Sequence, residues 1–269
     1  MKYLRLIFTC PLVVILAACG MPFQSQEFAP ASETLASPAQ LATVAPAPTE
    51  LPLYQQVRLV TTVSSQTGKA PDYTFKTQVP VMEGSSDPRV EQFNKGVTEL
   101  VQRAVDQFRN DMSMQSAIPI SAGSYFDLSY ALVSPPGHIF SLRFQIEGMV
   151  DGAAHPYHIT FSYNFDLGAG KEIRLDQLFL NSVDPLPAIA KYCGQELGKR
   201  DIGFEMFTAG ADPSVENYSV WNISVDGLVV IFNEYQVTAY AAGAQTVVIP
   251  FDVLKDIIDP NGPLADIKP

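Results

Sequence analysis

The chain has three histidines, and two of them fall in His155-Pro156-Tyr157-His158. A hydrolytic zinc site needs three side-chain ligands converging within about 2.2 Å of the metal, usually beside a carboxylate base. On a helix this spacing would align two ligands. Pro156 and the alternation after it instead assign the pair to a loop and a strand, where imidazoles so placed diverge. His138 stands apart, behind a Ser134-Pro135-Pro136-Gly137 turn. No metal and no other cofactor is expected. A nucleophilic serine would need a base held by a third group, and the sequence has neither a Gly-x-Ser-x-Gly elbow nor a Ser-x-x-Lys pair. The acid pairs Asp166 with Asp176, or Glu172 with Asp176, are of the types a glycosidase uses. In a chain this rich in carboxylates, solvated and turn-capping roles account for them. The sequence is therefore expected to be catalytically silent.

Aromatic side chains in loops point to binding. Tyr235 and Tyr240 bracket Gln236-Val237-Thr238-Ala239, and His155-Pro156-Tyr157 makes a second aromatic loop. Rigid aromatics on loops offer large contact area at low entropic cost, which suits protein or sugar recognition. His155, Pro156, Tyr157, Tyr235 and Tyr240 are accordingly the candidate binding residues. The alternative is that both tyrosines simply cover a sheet end.

The elements that must position them are legible in the periodicity. Val57, Leu59, Thr61 and Val63 alternate with Arg58, Val60 and Thr62, and a second strand runs from Tyr73 to Met82 after a turn at Gly68 to Asp72. Ser86-Asp87-Pro88 opens a helix whose apolar stripe runs from Val90 through Phe93, Val97, Val101 and Val105 to Phe108. Phe126 to Leu132 and His138 to Ile146 form a hairpin. In the following strand, Tyr157, Ile159, Phe161, Tyr163 and Phe165 are expected to face the core, and His158, Thr160, Ser162, Asn164 and Asp166 to face water. Short helices are expected at Asp176 to Phe179 and Asp184 to Lys199. Asp226-Gly227 joins a tight hairpin of Val220 to Val225 and Leu228 to Phe232, Thr246 to Ile249 is a last strand, and Phe251 to Ile258 a terminal helix. The fold class is α+β: a mostly antiparallel sheet with helices packed on it.

The formal charge is −11, with 17 basic and 28 acidic residues. Nucleic acid is excluded as a partner, because phosphate backbones are bound through clustered Lys and Arg and no basic run occurs. An acidic surface suits solubility or a cationic partner. Lys2 and Arg5 precede an apolar run, Leu6 to Leu16, that is too short to span a bilayer and ends in Leu16-Ala17-Ala18-Cys19-Gly20. This is a lipobox, so residues 1–18 are read as a lipoprotein signal peptide and Cys19 as the lipidated residue, anchoring the chain to the membrane on its extracytoplasmic side. Residues 19–52 are Pro, Ala, Ser and Thr with little periodicity, as in a disordered stalk. With Cys10 lost and Cys19 acylated, Cys193 has no disulfide partner and reads as a buried thiol on a helix.

Three segments together resemble the extracytoplasmic domain of the anti-sigma factor RsiV, which also occurs ahead of the catalytic domain in certain peptidoglycan deacetylases. They are Gly152 to Pro156, Tyr163-Asn164-Phe165-Asp166 running on through Gly170 to Phe179, and Phe232-Asn233-Glu234-Tyr235-Gln236 running on through Gly243 and Gln245 to Leu254. The likeness covers roughly residues 130–258, giving an expected division into a companion segment at 53–120, an RsiV-like domain at 121–260 and a tail at 261–269. The resemblance implies a cell-envelope module whose RsiV member binds lysozyme. Neither the spanning helix of that sensor nor the metal-binding catalytic domain of the deacetylases is expected here. The expectation is a lipid-anchored binding or sensing module with a lysozyme-like protein or peptidoglycan as ligand. A wall-acting hydrolase or accessory enzyme, and a structural envelope lipoprotein, are the competing classes.

Overall fold

A computed structural model describes residues 50–69, 72–114, 123–201 and 204–267. The signal peptide, Cys19 and residues 19–49 of the expected stalk lie outside them. The fold is α+β with a mostly antiparallel, six-stranded sheet ordered β1-β2-β3-β4-β5-β6 and a three-stranded sheet ordered β7-β8-β9. The large sheet comprises β1 (Arg58–Lys69), β2 (Asp72–Glu83), β3 (Ser124–Leu132), β4 (Ile139–Met149), β5 (Tyr157–Asp166) and the two-residue β6 (Lys171–Glu172). A single turn, α1 (Leu53–Gln56), precedes it, and α2 (Pro88–Met114) lies between β2 and β3.

The 27 residues of α2 span about 40 Å at 1.5 Å per residue. That length carries the chain back along β2, so β3 pairs with β2 in parallel, the one parallel ladder among the described strands. The apolar stripe of α2 buries Val90, Phe93, Val97, Val101 and Phe108 against Phe75, Phe126, Leu128, Leu142, Phe144 and Phe165 on one face of the sheet. At Gly96 the helix approaches β5 so closely that a Cβ would collide with the Tyr163 hydroxyl. The expected division at 120/121 falls between α2 and β3, within one continuous sheet.

A second core unites α3 (Leu186–Gly198), β7 (Trp221–Ile223), β8 (Leu228–Phe232), β9 (Gln245–Ile249) and α4 (Phe251–Leu254). Cys193 is buried there, and desolvation pushes its thiol pKa up to about 12.

Several sequence expectations need correction. Gly68 and Lys69 pair with Tyr73 and Asp72 inside the ladder instead of forming the turn. The hairpin at Asp226-Gly227 closes through four residues, Ser224 to Gly227, because Ile223 pairs with Leu228. The terminal helix stops at Leu254, where turns take over. Leu264 of the expected tail is buried in the second core.

The largest correction concerns β5. The side chains assigned to water are partly covered: Thr160 and Asn164 are buried, and Ile159, assigned to the core, is 43% exposed. The second sheet sits on this side. Ser141 donates its hydroxyl to Asn164 Oδ1 and accepts from Asn222 Nδ2 and the Ile223 amide, both at 2.9 Å. Asn164 Nδ2 donates to Trp221 O, and the Trp221 amide to Ser162 Oγ, both at 3.0 Å. Ser141 thus uses its one donor and both lone pairs. The two sheets are joined by small polar side chains, and burial is tolerated because each is paired.

Candidate functional site

Beyond β6 no described strand lies beside the outer edge of β5, and unpaired strand edges must be satisfied or shielded. The chain does this with side chains from the turn after β8. Asn233 mimics a peptide group, accepting from the Thr160 amide at 2.8 Å and donating to Thr160 O at 2.9 Å. Glu234 accepts from the His158 amide at 3.2 Å and from His158 Nδ1 at 2.8 Å. Gln236 closes the turn, accepting from the Asn233 amide and donating to Gly210 O and Asn217 O. Between these anchors Tyr235 adopts φ 64°, the only non-glycine residue with positive φ among the described residues, a conformation uncommon for a bulky side chain. The result presents its ring outward, 59% exposed.

The turn brings three of the five candidate residues face to face. The His155 and Tyr240 rings lie 4.1 Å apart between centroids, and Tyr235 and Tyr240 5.6 Å apart. The Tyr240 hydroxyl donates to Pro156 O at 2.8 Å, giving Pro156 a backbone role in the cluster. His155 Nδ1 lies 2.7 Å from Pro156 O, a contact that requires an N–H there, and Nε2 lies 3.3 Å from the Tyr235 hydroxyl. Partial burial, then the charge of Glu234, raises the Tyr240 phenol pKa. His158 also reaches this ring, at 6.4 Å. The two imidazoles that were expected to diverge both lie against Tyr240. Tyr157 takes its expected core orientation and so stands outside the cluster of expected binding residues: it turns into the main core against Phe108 and Gly148, and burial raises its pKa.

A polar floor extends from this aromatic wall across the sheet face opposite α2. Register places Lys76, Asp127, Glu147 and His158 in one row over β2, β3, β4 and β5. Tyr125 donates to Glu147 at 3.3 Å. Burial, and then Glu147, raise the Tyr125 pKa; His158, in the same row, lies 6.4 Å from the Tyr240 ring, so floor and wall adjoin. Two shallow hollows of about 380 Å³ and 210 Å³ lie along this floor and share Asp127 and Glu147. Sequence reasoning missed Tyr125, Glu147, Asn233 and Glu234. The first two alternate with core residues and were open to discovery, whereas the edge-capping role of the others has no periodic signature.

No group of three His, Cys, Asp or Glu among the described residues could hold a metal ion. His138 lies elsewhere, with Nε2 at 4.0 Å from Asp166.

The turn that builds this wall falls within residues 176–252, which match the family described as "Protein of unknown function (DUF3298)". Over those residues the chain is similar to the DUF3298 family. It is 24% identical over 208 residues to the peptidoglycan-N-acetylmuramic acid deacetylase PdaC of Bacillus subtilis, covering 76% of this chain and 42% of that protein. It is 28% identical over 110 residues to immunogenic protein MPT64 of Mycobacterium tuberculosis, covering 40% of this chain and 47% of that protein. The match thus spans less than half the length of either relative. A DUF3298 family structure from Bacteroides fragilis shares the fold at TM-score 0.55 and 15% identity, covering 79% of this chain and 96% of that one. One from Pseudomonas aeruginosa does so at TM-score 0.50 and 11% identity, covering 76% and 94%. The RsiV-like recognition and the α+β fold read from sequence agree with these findings.

Proposed function

We propose that the chain is a non-catalytic binding module of the cell envelope, held at the membrane by lipid on Cys19, and that its ligand is peptidoglycan glycan. The observation that carries the ligand is the wall of Tyr235, Tyr240 and His155 standing over a floor of carboxylate, amide and hydroxyl groups. Sugars present apolar C–H faces and polar rims, and an aromatic wall beside hydrogen-bonding groups matches both. Similarity to a deacetylase that acts on peptidoglycan supports the same class of ligand.

Sedimentation with insoluble peptidoglycan tests this reading. The wild type should co-sediment, and Tyr240→Ala, in a protein with unchanged circular dichroism, should not. Equal retention of both would remove the aromatic wall from the function. The row of Asp127 and Glu147 beside Glu234 favours a second reading, a cationic lysozyme-like protein, which would be captured from solution with a steep salt dependence. Anchoring has its own test: Cys19→Ala should move the chain out of the membrane fraction of a native-like host.

A further inference from the structure

A cleft of about 480 Å³ is separate from the aromatic wall and lies where β5 and β6 meet β7 and the segments before α3 and β7. Its volume falls in the range of small-molecule sites. Ile173, Leu175, Leu186, Tyr218 and Trp221 give it an apolar lining. Val215, at its wall, is 71% exposed. The polar groups inside are already engaged: Ser162 accepts from the Trp221 amide, and Asn164 is committed to Trp221 O and Ser141. Apart from the Ser162 hydroxyl proton, a ligand therefore finds its polar partners at the rim.

The rim is acidic. Glu172, Asp176 and Asp184 face one base, Arg174, and that base pairs with Asp176 at 2.9 Å. Asp184 accepts from the Leu186 amide at the start of α3 with one oxygen, at 3.0 Å. The helix terminus there offsets about half a charge, so Glu172 and Asp184 remain in excess. An apolar cavity behind an acidic rim selects a particular shape of molecule: an apolar body with a cationic end, its body displacing water from the lining and its ammonium group held at the mouth.

We propose that this cleft is a binding site for small organic ammonium compounds with an apolar body, distinct from the aromatic wall. Trp221 is the only tryptophan in the chain, so its fluorescence reports the cleft directly. The full-length protein is titrated with 4-phenylbutylamine, 4-phenylbutanol and 4-phenylbutyrate while Trp221 emission is followed.

The amine should bind most tightly and the carboxylate most weakly, with the amine ahead of the alcohol by about fivefold, the size of one exposed ion pair. Glu172→Gln combined with Asp184→Asn, which keeps an acceptor for the Leu186 amide, should erase that preference and leave the alcohol unchanged. Leu186→Phe, which fills the cavity, should abolish all three responses. Asp252→Asn on α4 and Tyr240→Ala at the wall should alter none of them.

Equal binding of amine and carboxylate would overturn the assigned ligand chemistry. Loss of preference in Asp252→Asn would reduce it to bulk charge. A response that survives Leu186→Phe, or no response to any probe, would overturn the site.

Discussion

Glu234 holds His158 twice, by the backbone amide at 3.2 Å and by Nδ1 at 2.8 Å. The side chain of one turn thereby substitutes for a missing neighbour strand along β5. Glu234→Ala should release the amide of His158 and loosen the turn that displays Tyr235. Hydrogen exchange is expected to accelerate at residues 157–160 with little change in α2, because local opening costs less than global unfolding. Unaltered protection across β5 would show that the clamp does not hold the edge.

Ser141→Ala tests the junction of the two sheets. It removes one hydroxyl, leaving Asn164 Oδ1 and the Ile223 amide without a partner and Asn222 Nδ2 with one bond fewer. Unsatisfied buried groups cost about 1–3 kcal/mol each. Asn222 Nδ2 keeps Leu142 O, so the net loss should be about 3 kcal/mol in urea unfolding. A loss below about 1 kcal/mol would mean that the sheets are held by apolar contact alone.

Asp87 is a carboxylate whose folded and unfolded states titrate apart. Hydrogen bonds from the Arg89 side chain, then from the Arg89 amide, lower its pKa from 3.8 to about 2, and Arg89 also donates to Gly168 O at 2.9 Å, tying α2 to the turn after β5. A carboxylate whose folded value is depressed stabilises fully above its unfolded value and loses that contribution as pH falls through the folded one. The melting temperature of the wild type should therefore exceed that of Asp87→Asn at neutral pH, with the gap closing between 3.8 and about 2. A gap independent of pH would assign the effect to capping geometry instead of charge.

These three sites mark how far the sequence carries. The stripe from Val90 to Phe108 and the alternation in β3 to β5 identified elements that the structure contains, since both periods survive without knowledge of partners. Alternation separates the two faces of β5 and says nothing of what covers each one. Asn164 was therefore assigned to water, although it is only 4% exposed beneath the second sheet. A small polar residue between large apolar ones, as in Phe140-Ser141-Leu142, Tyr163-Asn164-Phe165 and Trp221-Asn222-Ile223, is the trace that such a junction leaves. At the candidate site, residue type identified His155, Tyr235 and Tyr240, which the fold assembles. Tyr157 failed because the same alternation that makes it a strand residue also turns it inward.

Glu147 and Asp127 stand directly opposite each other on antiparallel strands, with Cβ atoms about 5 Å apart in such pairs. Like charges so placed destabilise a sheet by about 0.2–1 kcal/mol. Lys76, level with Asp127 on β2, offsets part of this. Glu147→Gln keeps an acceptor for the Tyr125 hydroxyl and removes the charge, so it should raise stability by a few tenths of a kcal/mol, about the lower half of that range. The gain should vanish in about 1 M salt, where the screening length is near 3 Å. The same variant should weaken co-sedimentation with peptidoglycan. Stability gained with binding lost is the signature of a charge kept at the floor for its ligand, whereas destabilisation by Glu147→Gln would make this carboxylate a structural partner of Tyr125.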